Sequence, residues 1–425
     1  MNSNNSSITF CFPYKSISGV SILFANLAKH ITKNYNQKVN FVDYKDAYVA
    51  SIIKGNNQIN FIEYKDGEKL EFPPNTTLIL QSIIPYTMPP ELNIDANTRI
   101  LFWTLLHYNM IPDLIPIKPL RHIHHRLKLV RKIYFKYLIP GNIKRLAALI
   151  KKMHSHQAIL FMDSSTLLVT EDFLGIKINN PNILPLCTDS IEKASINKQI
   201  SPDGCLTICW VGRVEDFKTS ILQFSITQAK NFSNKFKQPI RFVVIGYGKD
   251  LKNMKKSFKP SKNFKIEYKE TLAGKKLNNY LISNIDLLMS MGTSALVGAK
   301  LGIPTVLLDA SNFKIPNDYK YKWLFESDGA TLGSFIESQG MTNNGHSFQD
   351  VIYSLYNNYN DLSSKTLMYV NDNHNIDVIS KRLIDIVNNL SYKWSDMDDR
   401  IKQKSPLRRL YEFLRSVKLV FKYDT

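Results

Sequence analysis

The stretch "MGTSALVGAKLGIPTVLLD", Met291 to Asp309, decides the fold. It follows the apolar run Ile285–Ser290 and reads as strand, glycine turn, helix, Gly-Ile-Pro break and strand, the unit from which parallel α/β sheets are built. Thr293 and Ser294 suit a helix N-cap, and Gly292 lets the backbone approach whatever lies in front of it. The N–H groups of Gly292, Thr293 and Ser294 are therefore candidates to receive an anion. No acid occurs from Thr293 to Leu301.

The same alternation extends upstream, through Cys205–Gly212, a helix over Lys218–Phe232, Arg241–Gly246, a Lys-rich helix, Phe264–Lys269 and a helix over Lys275–Ser283. An earlier series begins at Ile8–Pro13 with a helix over Gly19–Lys33, then Val39–Tyr44, Thr77–Gln81, Arg99–Leu106 and Ala158–Asp163. The polar stretch Asp189–Gly204 has the composition of a linker. The pattern predicts two Rossmann-like α/β domains, over 1–190 and 205–395, and a helical tail over 396–425. In the tail, Ser405-Pro406 reads as N-cap and first helical residue, and Leu407, Leu410, Tyr411, Leu414 and Val417 form a stripe that predicts docking.

The chain has 425 residues, 44% hydrophobic and 21% charged, enough for roughly two domains of 150–200 residues. Its four cysteines show no metal-ligand clustering and read as reduced core residues of a cytosolic protein. The N-terminus lacks a charged region followed by a long apolar one, and no run of 18 apolar residues appears elsewhere. The net charge of +19 owes much to 43 lysines. Placement is more informative: between Asp113 and Asp163 stand 11 Lys or Arg and no acid. Surfaces normally mix both signs, so this segment calls for an anionic partner.

Within it, Arg126–Leu138 opposes Leu127, Leu129, Val130, Ile133, Tyr134 and Tyr137 to a basic face of Arg126, Lys128, Arg131, Lys132 and Lys136. Ile143–Met153 repeats the pattern with Lys144, Arg145, Lys151 and Lys152. Such arcs fit either a core-packed helix with a basic outer face or an anionic membrane surface. His122, His124 and His125 are at neither one-face helical nor zinc-ligand spacing, so no metal is expected.

Three stretches carry chemistry. "CWVGRVEDFKTS", Cys209–Ser220, sets Arg213 and Lys218 just past a strand, and carboxyl ends of parallel strands face the crevice where open α/β sheets bind ligands. Two cations there suit a diphosphate. "RFVVIGYGKD", Arg241–Asp250, ends its strand in Gly246-Tyr247-Gly248, and "RILFWTLLHYNMIPD" ends one at His107, a candidate base or hydroxyl-polarising group, with Asp113 and Asp163 weaker candidates.

Taken in order, the opening strand–Gly19–helix, the "VGR…K" turn, the "IGYG" strand end and the closing "GTSA…GIPT" unit resemble the GT-B glycosyltransferases, especially glycosyltransferase family 4, over most of residues 8–395. The resemblance implies two Rossmann-like domains with a cleft between them and a C-terminal helix packing back on the N-terminal domain. It implies a hexosyltransferase-type enzyme taking a nucleotide-sugar donor and a lipid-linked or polysaccharide acceptor, with no metal or other cofactor. It places Arg213 and Lys218 on the donor diphosphate and Gly19 on the loop that meets the donor phosphates; the turns Gly246–Gly248 and Gly292–Ser294 are read as lying around the donor, and the basic arcs as placing the chain on the cytoplasmic face of the membrane. Two acids that the family carries eight residues apart are here Met289 and Val297, so the donor ribose needs another acceptor, for which Asp286, Asp309 and Glu326 are candidates. The opening glycine pair is reduced to Ser18-Gly19. The alternatives are a catalytically inactive GT-B-like scaffold that binds glycan or membrane, and a nucleotide-sugar 2-epimerase. A nucleic-acid partner is not expected, because no recognised motif or aromatic-basic interleaving accompanies the charge.

Overall fold

In the computed structural model, described residues are 6–16, 18–106, 109–110, 133, 137, 140–189, 200, 204–336, 344–404, 409–410 and 413–414. The chain divides into two compact units, Met1–Leu186 with Ile376–Thr425, and Cys187–Asn375.

In the first unit, β1 (Ser7–Cys11), β2 (Val39–Asp43), β3 (Ile59–Glu63), β5 (Thr76–Gln81), β7 (Arg99–Thr104) and β8 (Ile159–Phe161) form one parallel sheet in the order β3-β2-β1-β5-β7-β8. The short β4 (Leu70–Glu71) and β6 (Leu92–Asn93) pair beside it. Strands β1 and β2 are buried along their whole length, as apolar strands covered on both faces must be. Helix Gly19–Tyr35 buries Leu23, Phe24, Leu27 and Ile31. Its Ser18 cap accepts from the Val20 N–H at 3.2 Å.

The second unit repeats the topology with β9 (Leu206–Val211), β10 (Ile240–Ile245), β11 (Phe264–Lys269), β12 (Leu287–Ser290), β13 (Thr305–Leu307) and β14 (Lys322–Trp323), ordered β11-β10-β9-β12-β13-β14. All neighbours run parallel except β14, which is antiparallel to β13. Cys209, Val211, Val243, Ile245, Leu281, Leu288 and Ile303 form a buried core on one side of this sheet. Met289 is wholly buried and Val297 packs against that core, so both positions where the family carries acids are packing positions here.

The long helix Phe348–His374 belongs to the second unit; helix Ile376–Asn389 belongs to the first. The latter buries Ile379, Leu383 and Val387, and beyond it the Tyr392 carbonyl accepts from the Ile100 N–H at 3.1 Å. The return to the first unit thus begins at Ile376, earlier than the 396–425 tail read from composition. Within that tail, Leu410 and Leu414 are each 54% exposed. The docked stripe expected there is not formed by these two residues, and Leu407, Tyr411 and Val417 lie outside the described residues.

Candidate functional site

Both sheets read 3-2-1-4-5-6, an order that reverses between the first and fourth strands and opens a crevice at their carboxyl ends. In the second unit that switch point lies between β9 and β12. The Ser290 hydroxyl ties the two ends by donating to the Val211 carbonyl at 2.9 Å.

The turn after β9 is built on glycine. Gly212, Gly246 and Gly248 hold φ of 150°, 152° and 151°, where a side chain is strained. A Cβ on Gly246 would overlap the Gly212 carbonyl oxygen, and one on Gly248 the Val214 carbonyl oxygen. The turns after β9 and β10 therefore zip together: Gly212 N–H donates to the Ile245 carbonyl at 3.0 Å, Val214 N–H to Tyr247 at 2.8 Å, and Asp250 N–H to Val214 at 3.1 Å. These glycines serve contact between two loops of one edge.

On that rigid turn stand the two predicted cations. Arg213 is held by Glu215, guanidinium to carboxylate at 2.5 Å. Lys218 is partly buried, its ammonium 6.0 Å from the centre of the Phe217 ring, and among the described residues it forms no ion pair. Burial first, and then the Arg213 charge, push Lys218 down to about 8, with Glu215 opposing. A desolvated ammonium that feels the Arg213 charge, with Glu215 already paired to that guanidinium, is short of negative charge. An anion would supply it.

The turn after β12 is arranged differently from the expectation. Gly292 itself is the N-cap, at φ 60° and ψ −148°, a conformation essentially restricted to glycine, and no side chain caps the helix Thr293–Ala299. The Gly292 N–H is already committed to the Leu332 carbonyl at 2.7 Å. Thr293 and Ser294 are the first residues of the helix, and only their N–H groups remain from the predicted set of three.

Of the three carboxylates considered for the ribose, none offers itself at this edge. Asp286 precedes β12, at the amino end of the sheet, and accepts from Thr207 N–H at 2.7 Å. Asp309 does follow β13, but one oxygen accepts from Ser334 N–H at 2.9 Å and the other from the Tyr319 hydroxyl at 3.2 Å; burial raises its carboxyl above the ordinary range. Glu326 lies beyond β14, which runs away from the carboxyl edge, and its oxygens meet Trp323 N–H at 2.9 Å and His346 at 2.8 Å.

Sequence reasoning missed Glu215 as the clamp on Arg213, although it stands within the quoted "VGRVED". It also missed the segment Leu332–Ser334 that locks the β12 and β13 turns, which no local pattern announces.

The remaining predicted residues fall elsewhere. Gly19 opens a helix of the first unit. His107, Asp113, Arg126, Lys128, Arg131, Lys132 and Lys136 lie outside the described residues, as do His122, His124 and His125. Asp163 caps helix Ser164–Leu174, its carboxylate taken by Thr166 N–H at 2.7 Å. Helix Pro140–Ser155 buries Leu146, Leu149, Ile150 and Met153 and exposes Lys144, Arg145, Lys151 and Lys152. Lys152 donates to the Asp396 carbonyl and lies over the Tyr392 ring, so part of that basic face is used within the chain. Among the described residues no group of three or more His, Cys, Asp or Glu stands where it could hold a metal ion, and no helix is long and apolar enough to cross a membrane.

Two parallel-sheet units of this order, with a helix returning to the first, define the GT-B fold, which this chain has. It is similar to a glycosyltransferase from Rickettsia africae, at 11% identity and TM-score 0.52 over 92% of this chain and 99% of that one. It is also similar to the N-terminal domain of trehalose-6-phosphate phosphatase from Candida albicans, at 12% identity and TM-score 0.51 over 90% and 96%. WaaG, a glycosyltransferase involved in lipopolysaccharide biosynthesis, aligns at 11% identity and TM-score 0.49 over 89% and 99%. No family model matches the sequence, and no curated protein matches it.

Proposed function

We propose that this chain is a glycosyltransferase, hexosyl-transferring in type, that moves a sugar from a nucleotide-sugar to a lipid-linked or polysaccharide acceptor in bacterial surface polysaccharide assembly, such as O-antigen or capsule. One observation carries the reading: Arg213 and Lys218 stand together at the switch point of the second sheet with Glu215 as their near counter-charge. Departure of a nucleoside diphosphate builds negative charge on its outer phosphate, and cations fixed in advance stabilise that charge without reorganising. Glu215 fixes Arg213. Lys218, already stripped of much of its water, gains more from an anion than a solvated lysine would. The Thr293 and Ser294 amides would add to the same potential, and the Gly246–Gly248 turn would border the nucleotide. No metal or other cofactor is required by this arrangement.

The first unit would take the acceptor, with His107 the candidate base, and the basic faces at 126–138 and 143–153 would rest on anionic lipid at the cytoplasmic face of the membrane. Buried Met289 and the occupied carboxylates Asp309 and Glu326 favour a second reading, an inactive scaffold that keeps the anion site. Turnover across a panel of nucleotide-sugars decides between them. The enzyme hydrolyses or transfers from at least one donor, with Arg213→Ala and Lys218→Ala each lowering the rate at least about tenfold. Donor binding without turnover supports the scaffold.

A further inference from the structure

We infer that Tyr247 is the platform on which the nucleobase of the donor lies. This rests on the assignment of the donor diphosphate to Arg213 and Lys218. Tyr247 is the central residue of the Gly246-Tyr247-Gly248 turn and is 42% exposed. Its backbone is immobilised: the carbonyl accepts from Val214 N–H at 2.8 Å, and the flanking glycines press on the Gly212 and Val214 carbonyls. The residue thus sits directly across the zipped loops from the segment that carries Arg213. Its side chain, by contrast, has no partner: among the described residues the ring stacks on no other ring and the hydroxyl makes no hydrogen bond.

An exposed turn between two glycines is ordinarily filled by a small polar residue. A large aromatic placed there, its carbonyl tied to the facing loop and its ring stacked on no other ring among the described residues, beside two cations short of negative charge, has the parts of a nucleotide subsite. The cations take phosphate, and the ring offers a π-face to a base, an interaction that tolerates any base and so sets affinity more than identity. None of the carboxylates Asp286, Asp309 and Glu326 is free at this edge for the ribose, so stacking would have to carry more of the nucleoside's recognition.

Calorimetric titration of the full chain with ADP, CDP, GDP, UDP and inorganic pyrophosphate tests this. At least one nucleoside diphosphate is expected to bind at least about fivefold more tightly than pyrophosphate, and Tyr247→Ala to remove that margin while leaving pyrophosphate affinity unchanged. Tyr247→Phe and Tyr247→Trp should keep it, and the Trp variant should show fluorescence quenched by the nucleotide and not by pyrophosphate. Unchanged nucleotide affinity in Tyr247→Ala overturns the inference, as does an equal loss for nucleotide and pyrophosphate. If binding in those experiments still depends on Arg213 and Lys218, the diphosphate assignment survives and only the platform is lost. Binding indifferent to both cations overturns the two together.

Discussion

The two units share a strand order and differ at the loop that follows their first strand. In the first unit that loop is held by an acid: the buried Asp43 at the end of β2 accepts from Tyr14 N–H and Tyr44 N–H, each at 2.8 Å through one oxygen, and its other oxygen has no partner among the described residues. In the second unit the equivalent loop is held by glycines and carries Arg213 and Lys218. The same topology therefore holds the loop after the first strand with a buried carboxylate in one unit, and with glycines beside an exposed Arg213 and a half-buried Lys218 in the other. Topology opens the crevice, and a few side chains decide what it can bind.

The largest expected effect tests how the second loop is held. Gly246→Ala or Gly248→Ala drives a Cβ into a carbonyl oxygen at a backbone angle that disfavours side chains, and each should cost about 3 kcal/mol or more, read as a fall in the denaturation midpoint. A loss below about 1 kcal/mol would show that the loops are not zipped as described.

The charges give the two units opposite pH signatures. Asp43 is raised by burial to about 6 from an ordinary 3.8, so its contribution to stability is full below pH 3.8 and lost as pH rises through 6. Lys218 is lowered to about 8 from 10.5, so its contribution is full above pH 10.5 and lost as pH falls through 8. At neutral pH both groups are charged at a cost. Lys218→Met should accordingly stabilise the second unit at pH 7 by on the order of 1–3 kcal/mol while weakening diphosphate binding at least about tenfold. Stabilisation without loss of binding would separate the lysine from the site. Asp43→Asn should gain stability at pH 7.5 relative to wild type and lose that advantage at pH 4, a crossing that unfolding at the two pH values would show or refute.

Much of this was legible in the sequence, and the failures have physical causes. Alternating apolar runs and helical stripes gave both sheets, because burial on both faces leaves a continuous signal in β9, β10 and β12. Arg213 and Lys218 were legible because a strand end followed by a Gly turn fixes where side chains emerge. Gly292 as N-cap was not, since Thr293 and Ser294 are better capping residues by propensity and only the contact with Leu332, distant in sequence, makes the glycine conformation pay. The occupancy of Asp309 and Glu326 was hidden for the same reason: Tyr319, Ser334 and His346 reach them through tertiary folding. The tail's stripe was a helical pattern without a partner at Leu410 and Leu414.

The last expected effect concerns the basic residues of 126–138 and 143–153. Reversal of Arg131, Lys132, Lys144 and Lys151 to Glu should abolish binding to anionic vesicles at low salt, with neutral vesicles binding weakly throughout. Equal binding by that variant would show that these four residues do not hold the vesicle; Lys152, outside the set, is already engaged within the chain by the Asp396 carbonyl.

The central claim is that the cationic pair of the second unit holds a diphosphate. Calorimetric titration of nucleoside diphosphates and pyrophosphate into wild type and into Arg213→Ala/Lys218→Met tests it most directly, at pH 7 and again at pH 9. The account predicts binding that falls at least about a hundredfold in the double variant and weakens in wild type at pH 9, where Lys218 has lost its proton before the ligand arrives. Equal affinity in the two proteins at both pH values, with the variant folded, would contradict it.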